Sequence, residues 1–379
     1  MDFSLTEDQQ AIVDLTRKIL TDRCAPEKLR QIESGSDWFD RDTWNELAKA
    51  DILGLTLPEA DGGGGYGYLE TCLLLNEIGR AVAPLPLWST SIAASAIAAF
   101  GSDAQRAQWL PGVISGQTIL ALALSETAAT ERAPATLAIA DGDGYVLRGA
   151  KTVVSAAHLA AAALVTARTE SGDALVFVVP LDAEGVTRSR QDTFNHEPQF
   201  HVELDGVAVG ADAVLGAALA PGLVVDWVVD RATVGLCALA AGVAEVGMRL
   251  TAAYVVERKQ FDKALGTFQA VCHRMADCYV DAAAVYLSML QAASKLDAAG
   301  PDDAVDQKLI AVAKYWASYS GSRVGHADLH LHGGISIDLD YPIHRYFLWS
   351  KHLELQLGAG TAQLARLGSL LATEPVGAI

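Results

Sequence analysis

Apolar positions repeat at helical spacing over the first part of the chain. Ile12, Leu15 and Ile19 recur three or four residues apart, and Thr6 just before them is typical of a helix start. The pattern predicts helices from residue 5 to about residue 115. The glycine cluster at 61–67 interrupts them, and we interpret it as a loop that packs closely against a neighbouring segment.

Between residues 118 and 215 the pattern changes to short apolar or alternating runs. Examples are 119–124, 174–180 and 201–204, and glycine and aspartate turns such as 141–144 separate such runs. Runs of this length with turns between them predict a compact β-domain, a barrel or a sandwich, inserted between helical parts.

Long helical patterns return after residue 222. They cover roughly 223–259, 264–298, 302–333 and 351–372, with Asp302 or Asp303 as the candidate cap of the third. Alanine and leucine on more than one face predict a bundle that is also buried in an oligomer. The predicted fold class is therefore α+β. It has an N-terminal α-helical domain (1–117), a middle β-domain (118–217) and a C-terminal four-helix bundle (218–379).

Composition and net charge argue against some classes of binding partner. The 379 residues carry 28 Lys and Arg against 46 Asp and Glu, and the net charge of -18 argues against nucleic acid as a partner. No uninterrupted apolar run reaches membrane-spanning length, and the first residues do not resemble an export signal. The five cysteines and the histidines lack metal-ligand spacing, so we expect reduced thiols and no metal site. Because the first residues do not resemble an export signal, we expect a cytoplasmic protein.

Three short stretches together resemble a family of flavoenzymes. They are YVVERKQFDKALGTFQ at 254–269, LHGGI at 331–335 and LGAGT at 357–361. With the helical, β and four-helix order, which covers essentially the whole chain, they resemble the acyl-CoA dehydrogenase family. The resemblance implies FAD at a subunit interface, usually in a homotetramer, and desaturation of an acyl-CoA thioester between Cα and Cβ. It also implies electron-transfer flavoprotein or a similar protein as the electron acceptor.

That reaction has simple geometric requirements. A carboxylate removes a proton from Cα while a hydride leaves Cβ for flavin N5, so the base and the flavin face each other across a thin, dry, apolar slot. Hydrogen-bond donors at the thioester carbonyl make the α-proton more acidic. The flavin supplies the redox step and the protein supplies the geometry.

The resemblance assigns cofactor contacts residue by residue. The contacts implied near the flavin ring are Ser125, Ser155 and Thr361. The contacts implied for the adenosine and pyrophosphate of a neighbouring subunit's FAD are Arg258, Phe261 and Gln269, with Gly333 and Gly334 as a loop of close approach. Arginine suits a diphosphate because its planar guanidinium donates two hydrogen bonds at once. The alternatives are a solvated helix face for Arg258 and Gln269, and an ordinary helix C-cap for Gly333 and Gly334.

The chain departs from the family pattern at the catalytic position. Ala359 stands where the family usually has its catalytic glutamate, and it cannot accept a proton. The segment 127–134 replaces a glycine-serine-aspartate element and so affects one set of flavin contacts. Val153, Asp262, His330 and Ser336 also stand where the family usually has other residues.

Asp230 is the candidate base in place of Ala359. Some family members carry the base immediately before an arginine that matches Arg231, which the resemblance places on the substrate-facing side. An aspartate there would lie about 1.5 Å further from the target than a glutamate. The alternative for Asp230 is a structural role near a helix N-terminus, and the alternative for Arg231 is a salt bridge to Asp226 or Asp230.

Two assemblies explain why position 359 has no catalytic carboxylate. In one, a homotetramer uses Asp230 as its base. In the other, the chain is one subunit of a heterotetramer, similar to the paired actinobacterial dehydrogenases of steroid side chains, and a second polypeptide supplies the glutamate. The combined departures favour the heterotetramer. Retention of Arg258, Phe261, Gln269 and Thr361 argues against a cofactor-free partner or scaffold. A flavin-dependent oxygenase or nitroalkane-type oxidase would be expected to keep a carboxylate at 359.

Overall fold

The computed structural model describes residues 3–300, 303 and 305–372. Its N-terminal part contains the helices α1 (Glu7–Arg23), α2 (Pro26–Glu33), α3 (Arg41–Lys49), α4 (Tyr68–Ala81), α5 (Leu87–Phe100) and α6 (Asp103–Ile114). The predicted start of α1 is confirmed. The Gln9 backbone N–H donates to the Thr6 hydroxyl at 3.2 Å, and the Thr6 N–H donates to the Gln9 side chain at 3.0 Å. These reciprocal bonds satisfy two donors that a helix start otherwise leaves free.

The glycine-rich loop between α3 and α4 packs against its neighbours as predicted. A Cβ at Gly63 would lie 2.2 Å from the carbonyl oxygen of Leu57, and one at Gly67 would lie 2.0 Å from Oδ1 of Asp297. The same Asp297 carboxylate accepts the Tyr68 N–H at 2.5 Å and so caps α4. Side chains are excluded from this loop because backbone and carboxylate atoms already occupy the space.

The middle part is one seven-stranded sheet. Its strands are β1 (Leu120–Ala123), β2 (Leu137–Asp141), β3 (Gly144–Ser155), β4 (Ala162–Thr169), β5 (Ala174–Pro180), β6 (Val186–Gln191) and β7 (Gln199–Val209). They follow the order β1-β4-β2-β3-β7-β6, with β5 also paired to β4. The register of β3 against β7 shifts between Lys151 and Val154, and Val153 has a φ of +49°. This bulge turns Val153 outward and leaves Lys151 and Ser155 buried.

Glu126 fixes the start of the 127–134 segment that follows β1. Its carboxylate accepts hydrogen bonds from Lys151 Nζ at 2.6 Å and from the backbone N–H of Ala135 and Thr136 at 2.6 and 3.1 Å. Burial opposes the charged form, but the hydrogen bonds from Lys151 and Thr136 outweigh it and lower the pKa of Glu126. Because Glu126 binds the residues just beyond position 134, both ends of the segment are held together.

The C-terminal part is a helical bundle whose helices are α7 (Leu223–Glu257), α8 (Gln269–Ala298), α9 (Gln307–His332), α10 (Ile343–Leu355) and α11 (Gly360–Ala372). A hairpin of β8 (Lys259–Gln260) and β9 (Lys263–Ala264) joins α7 to α8. The prediction of Asp303 as the cap of the third helix is wrong, since Asp306 caps α9 by accepting the Lys308 N–H at 3.0 Å. Asp302 lies outside the described residues.

The predicted helix 351–372 is also wrong, because it is divided between α10 and α11. Lys314 on α9 is fully buried, and its Nζ donates to the carbonyls of Leu353 and Glu354 at 2.8 and 3.2 Å. These bonds satisfy the last carbonyls of α10, and Leu357 and Gly358 then turn the chain with φ of +51° and +89°. The turn presents position 359 at the start of α11.

Three further expectations concern cysteines, membrane-spanning helices and metal sites. All five cysteines are free, and three of them are buried. Within the described ranges, no helix is both long and apolar enough to span a membrane. The same residues contain no group of three or more His, Cys, Asp or Glu side chains that could hold a metal ion.

Candidate active site

Two of the three hydroxyls assigned to the flavin ring already have partners inside the chain. The Ser125 hydroxyl donates to the Glu131 carboxylate at 3.0 Å. Ser155 is buried and hydrogen-bonds to the side-chain amide of Gln199, with an Nε2–Oγ distance of 2.9 Å. Thr361 lies exposed in the first turn of α11. Ser125 and Ser155 therefore each have a partner inside the chain, whereas Thr361 is exposed.

A network of polar side chains, which we name the clasp, joins the 127–134 segment to the bundle. Its members are Arg132, Asp226, Asp230, Gln307 and Arg366. Arg132 pairs with both Asp226 and Asp230 on α7. Gln307 Nε2 donates to Oδ2 of Asp230 at 2.6 Å, and Arg366 on α11 donates to the side-chain oxygen Oε1 of Gln307. One segment of the β-domain and three helices thus meet at Asp230.

Members of the clasp bind both carboxylate oxygens of Asp230, the candidate base. Asp230 is 4 % exposed, with Oδ1 bound to Arg132 and Oδ2 bound to Gln307. Burial alone would lower the pKa of Arg132, but Asp230 and Asp226 raise it above its usual value, so the guanidinium stays charged. A general base needs a lone pair directed at the substrate proton. The arrangement favours the structural alternative for Asp230.

Arg231 faces away from the clasp. Its guanidinium stacks over the Trp227 ring at 3.7 Å and donates to the Leu296 carbonyl at 2.9 Å, near the end of α8. Burial lowers its pKa to about 10, so it remains charged at neutral pH. Asp226 and Asp230 pair with Arg132 instead, so neither stands as the salt-bridge partner considered for Arg231. Its predicted substrate role stays a prediction.

The loop at the usual glutamate position is ordered without a proton acceptor. The Ala359 carbonyl accepts the Gln363 N–H at 3.1 Å. The Gln363 side chain also donates to the carbonyls of Leu357 and Gly358 at 3.0 and 3.3 Å. The segment therefore has a defined conformation, and only a methyl group extends from position 359.

The residues assigned to the adenosine side lie on the surface. Arg258 follows α7, Phe261 stands at the tip of the β8–β9 hairpin with 87 % exposure, and Gln269 begins α8 with its side chain exposed. Phe261 and Asp262 have φ of +51° and +61°, the left-handed pair of a two-residue hairpin. A glycine would adopt the φ of position 262 without strain.

Gly333 and Gly334 have different local reasons to be glycine. Gly333 is the C-cap of α9 and has a φ of +63°, so the C-cap interpretation applies to it. Gly334 has no such φ, and a Cβ there would meet nothing within 4 Å. The chain itself therefore leaves room beside Gly334, and the cofactor role of Gly334 stays a prediction.

Large apolar side chains remain exposed on several segments of the C-terminal part. They are Val256, Phe261, Tyr279, Val280, Ile337 and Leu339, each more than 60 % exposed. Exposed apolar side chains of this size are typical of a surface that another subunit covers. They support the predicted oligomer, and Val256 and Phe261 lie within three residues of Arg258 in the sequence.

The two halves of the candidate site therefore differ in their fit to FAD. The adenosine half offers an exposed arginine, an exposed aromatic ring and an open glycine turn, and these suit a diphosphate and an adenosine. In the flavin-ring half, the hydroxyls of Ser125 and Ser155 are used internally. Sequence reasoning missed Arg132, Gln307 and Arg366. The only signal for Arg132 was its place as the single basic residue of 127–134.

Comparison with known proteins places the whole chain in one family. Models of the acyl-CoA dehydrogenase N-terminal, middle and C-terminal domains match residues 6–117, 121–207 and 224–369. Acyl-CoA dehydrogenase FadE27 of Mycobacterium tuberculosis is 37 % identical over 384 residues, covering 99 % of this chain and 100 % of that protein. FadE28 of the same organism is 33 % identical, covering 97 % of this chain and 98 % of that protein.

Two solved structures are similar over nearly their full length. A variant of the Tcur3481–Tcur3483 steroid ACAD is 42 % identical with a TM-score of 0.91, covering 97 % of this chain and 98 % of the other. The ChsE4–ChsE5 complex from Mycobacterium tuberculosis is 36 % identical with a TM-score of 0.93, covering 99 % of this chain and 100 % of the other. The predicted fold class is confirmed. The three matching domains and the full-length similarity show that this chain belongs to the acyl-CoA dehydrogenase family.

Proposed function

We propose that this chain is one subunit of a heteromeric FAD-dependent acyl-CoA dehydrogenase. The partner subunit supplies the flavin-ring pocket and the catalytic carboxylate. This chain supplies the contacts to the adenosine and pyrophosphate of the partner's FAD. Those contacts are Arg258, Phe261, Gln269, Gly333 and Gly334. The observation that carries the proposal is the contrast between the flavin-ring side, where two hydroxyls and the candidate base have partners inside the chain, and an adenosine side left open.

A homotetramer would need both halves of the site on every chain. Each FAD would take its ring pocket from one copy and its adenosine contacts from the next. With Ala359 in the base position and Asp230 held by Arg132 and Gln307, copies of this chain alone do not assemble a complete site. Paired with a chain that keeps its glutamate, the same adenosine half completes one site.

The chemistry divides between the cofactor and the two chains. Bound FAD supplies the hydride acceptor. In this chain, the Arg258 guanidinium donates hydrogen bonds to the diphosphate, and the Gly333–Gly334 turn allows close backbone approach. The exposed ring of Phe261 provides an apolar surface for the adenosine end. The proton of the substrate Cα goes to the partner's carboxylate.

The substrate that we propose is a bulky acyl-CoA of the steroid side-chain class. One similar structure is a variant of the Tcur3481–Tcur3483 steroid ACAD, and the other is the ChsE4–ChsE5 complex. The side chains at 358–360 are limited to hydrogen atoms and one methyl group, so this turn offers volume to a large substrate. Electron-transfer flavoprotein or a similar protein is the proposed electron acceptor, and the proposed location is the cytoplasm.

Asp230→Asn tests the location of the base. We expect turnover of the two-chain enzyme to change by no more than about twofold, because Asp230 binds Arg132 and does not receive the substrate proton. Stability should fall by about 1–2 kcal/mol, since a partly buried ion pair is lost. Turnover with an acyl-CoA substrate and urea unfolding measure the two effects.

Asp226→Asn is the matched control, because Asp226 pairs with the same arginine on the same helix. Both variants should behave alike in turnover. A loss of a hundredfold or more in Asp230→Asn alone, with FAD still bound, would make Asp230 the base and contradict the proposal.

A further inference from the structure

One aromatic stack joins the two segments that carry the adenosine-side contacts. The rings of Tyr254 on α7 and His332 on α9 lie with centroids 4.4 Å apart and an interplanar angle of 25°. The Tyr254 carbonyl accepts the N–H of Arg258 at 2.8 Å, and His332 directly precedes Gly333. The stack therefore connects the end of α7, which Arg258 follows, with the end of α9, which the glycine turn follows.

The hydrogen bonds and the burial of His332 together indicate one neutral tautomer. Its Nδ1 lies 2.7 Å from the Asp328 carbonyl oxygen, which can only accept, so Nδ1 carries the proton. Its Nε2 then accepts from the Tyr341 hydroxyl at 3.0 Å. Burial lowers the pKa of His332, which agrees with a neutral ring. Each ring nitrogen thus has a partner, and the ring has one defined orientation.

The backbone on either side of Gly333 is held as well. The Tyr254 hydroxyl donates to the His332 carbonyl at 3.3 Å, and the Ser336 hydroxyl donates to the Gly333 carbonyl at 2.7 Å. Gly333 combines a φ of 63° with a ψ of -139°, a conformation that is essentially restricted to glycine. These bonds hold a turn that glycine adopts readily and other residues do not, next to the open space at Gly334.

We propose that His332, held between Tyr254 and Tyr341, is a positioning residue for the FAD diphosphate. It sets the spacing between Arg258 and the Gly333–Gly334 turn without contacting the cofactor, because it is 3 % exposed. This inference rests on the proposed use of Arg258 and Gly333–Gly334 by a neighbouring subunit's FAD. It adds a residue that acts through Arg258 and the glycine turn. It also implies that the spacing between the ends of α7 and α9 determines the affinity for FAD.

His332→Phe and Tyr341→Phe test the proposal in the FAD-containing assembly, whether that is the chain alone or the chain with its co-expressed partner. Phenylalanine at 332 keeps an aromatic ring for the stack but loses both ring hydrogen bonds. At 341 it removes only the hydroxyl. We expect the FAD dissociation constant to rise about fivefold in Tyr341→Phe, and further in His332→Phe, as loss of one or two hydrogen bonds implies. Flavin fluorescence during titration of the apoprotein gives this constant.

Thr251→Val is the matched control for stability. Thr251 is fully buried on α7, one turn before Tyr254, and its hydroxyl lies 2.7 Å from the Asp328 carboxylate. The control should lower the melting temperature and leave the FAD dissociation constant unchanged. If His332→Phe also lowers only the melting temperature, the stack has a purely structural role and the inference is overturned. FAD stoichiometry of the wild type tests the proposed function separately.

Discussion

Replacing Arg258 by methionine removes most of the FAD from the assembled enzyme, although the proposed flavin-ring pocket lies in the other chain. Methionine keeps a long side chain, but it cannot donate the charge-assisted hydrogen bonds that a guanidinium makes to a diphosphate. We expect the FAD dissociation constant to rise on the order of a hundredfold, the factor for about 3 kcal/mol. Bound flavin after gel filtration and turnover with an acyl-CoA substrate measure this effect.

Arg249→Met is the matched control for a lost surface charge. Arg249 lies on α7, the helix that Arg258 follows, and pairs with Glu245 at 2.8 Å. This variant should bind FAD as the wild type does. Equal losses of FAD in the two variants would mean that net charge, and not a diphosphate contact at 258, determines the binding.

Asparagine in place of Asp328 stabilises the chain at pH 8 and has little effect near pH 4. Burial raises the pKa of Asp328 to about 7, whereas an unfolded aspartate titrates near 3.9. The unfolded state therefore releases this proton first, and wild-type stability falls as the pH rises from about 4 to 7. The full difference is about 4 kcal/mol at pH 8. Asparagine does not titrate, and its carbonyl still accepts from the Thr251 hydroxyl, which lies 2.7 Å from Asp328 Oδ1.

Urea unfolding of Asp328→Asn and wild type at both pH values measures this difference. Asp143→Asn, which changes an exposed carboxylate in the turn between β2 and β3, serves as the control and should show no comparable pH-dependent gain. A gain for Asp328→Asn that is the same at pH 4 and pH 8 would contradict the shifted titration of Asp328.

Local patterns predicted the fold because they recur within each element. The helix start at Thr6 depends on neighbouring residues and is confirmed. The close packing of the 61–67 loop is confirmed as well, although its contact Asp297 lies far away in the sequence. The division between α10 and α11 could not be predicted in this way. It depends on Lys314, which reaches the end of α10 from a different helix, 39 residues earlier in the sequence than Leu353.

For the same reason, the residues of the adenosine half could be predicted from the sequence and those of the clasp could not. Arg258, Phe261 and Gln269 stand within one short motif, so the resemblance located them together. The clasp joins residues separated by 98 positions between Arg132 and Asp230 and by 77 between Asp230 and Gln307. No local pattern carries such pairs. His332 was considered only as a metal ligand, because its stack with Tyr254 exists only where α7 and α9 end side by side.

The FAD content per subunit tests the central claim most directly. The chain is purified alone and then with the acyl-CoA dehydrogenase-like proteins encoded beside it, and bound flavin is measured against protein. The account predicts little FAD in the chain alone, and about half an FAD per chain in the two-chain enzyme, since only one kind of subunit holds a flavin ring. Near one FAD per chain in the protein purified alone would contradict it.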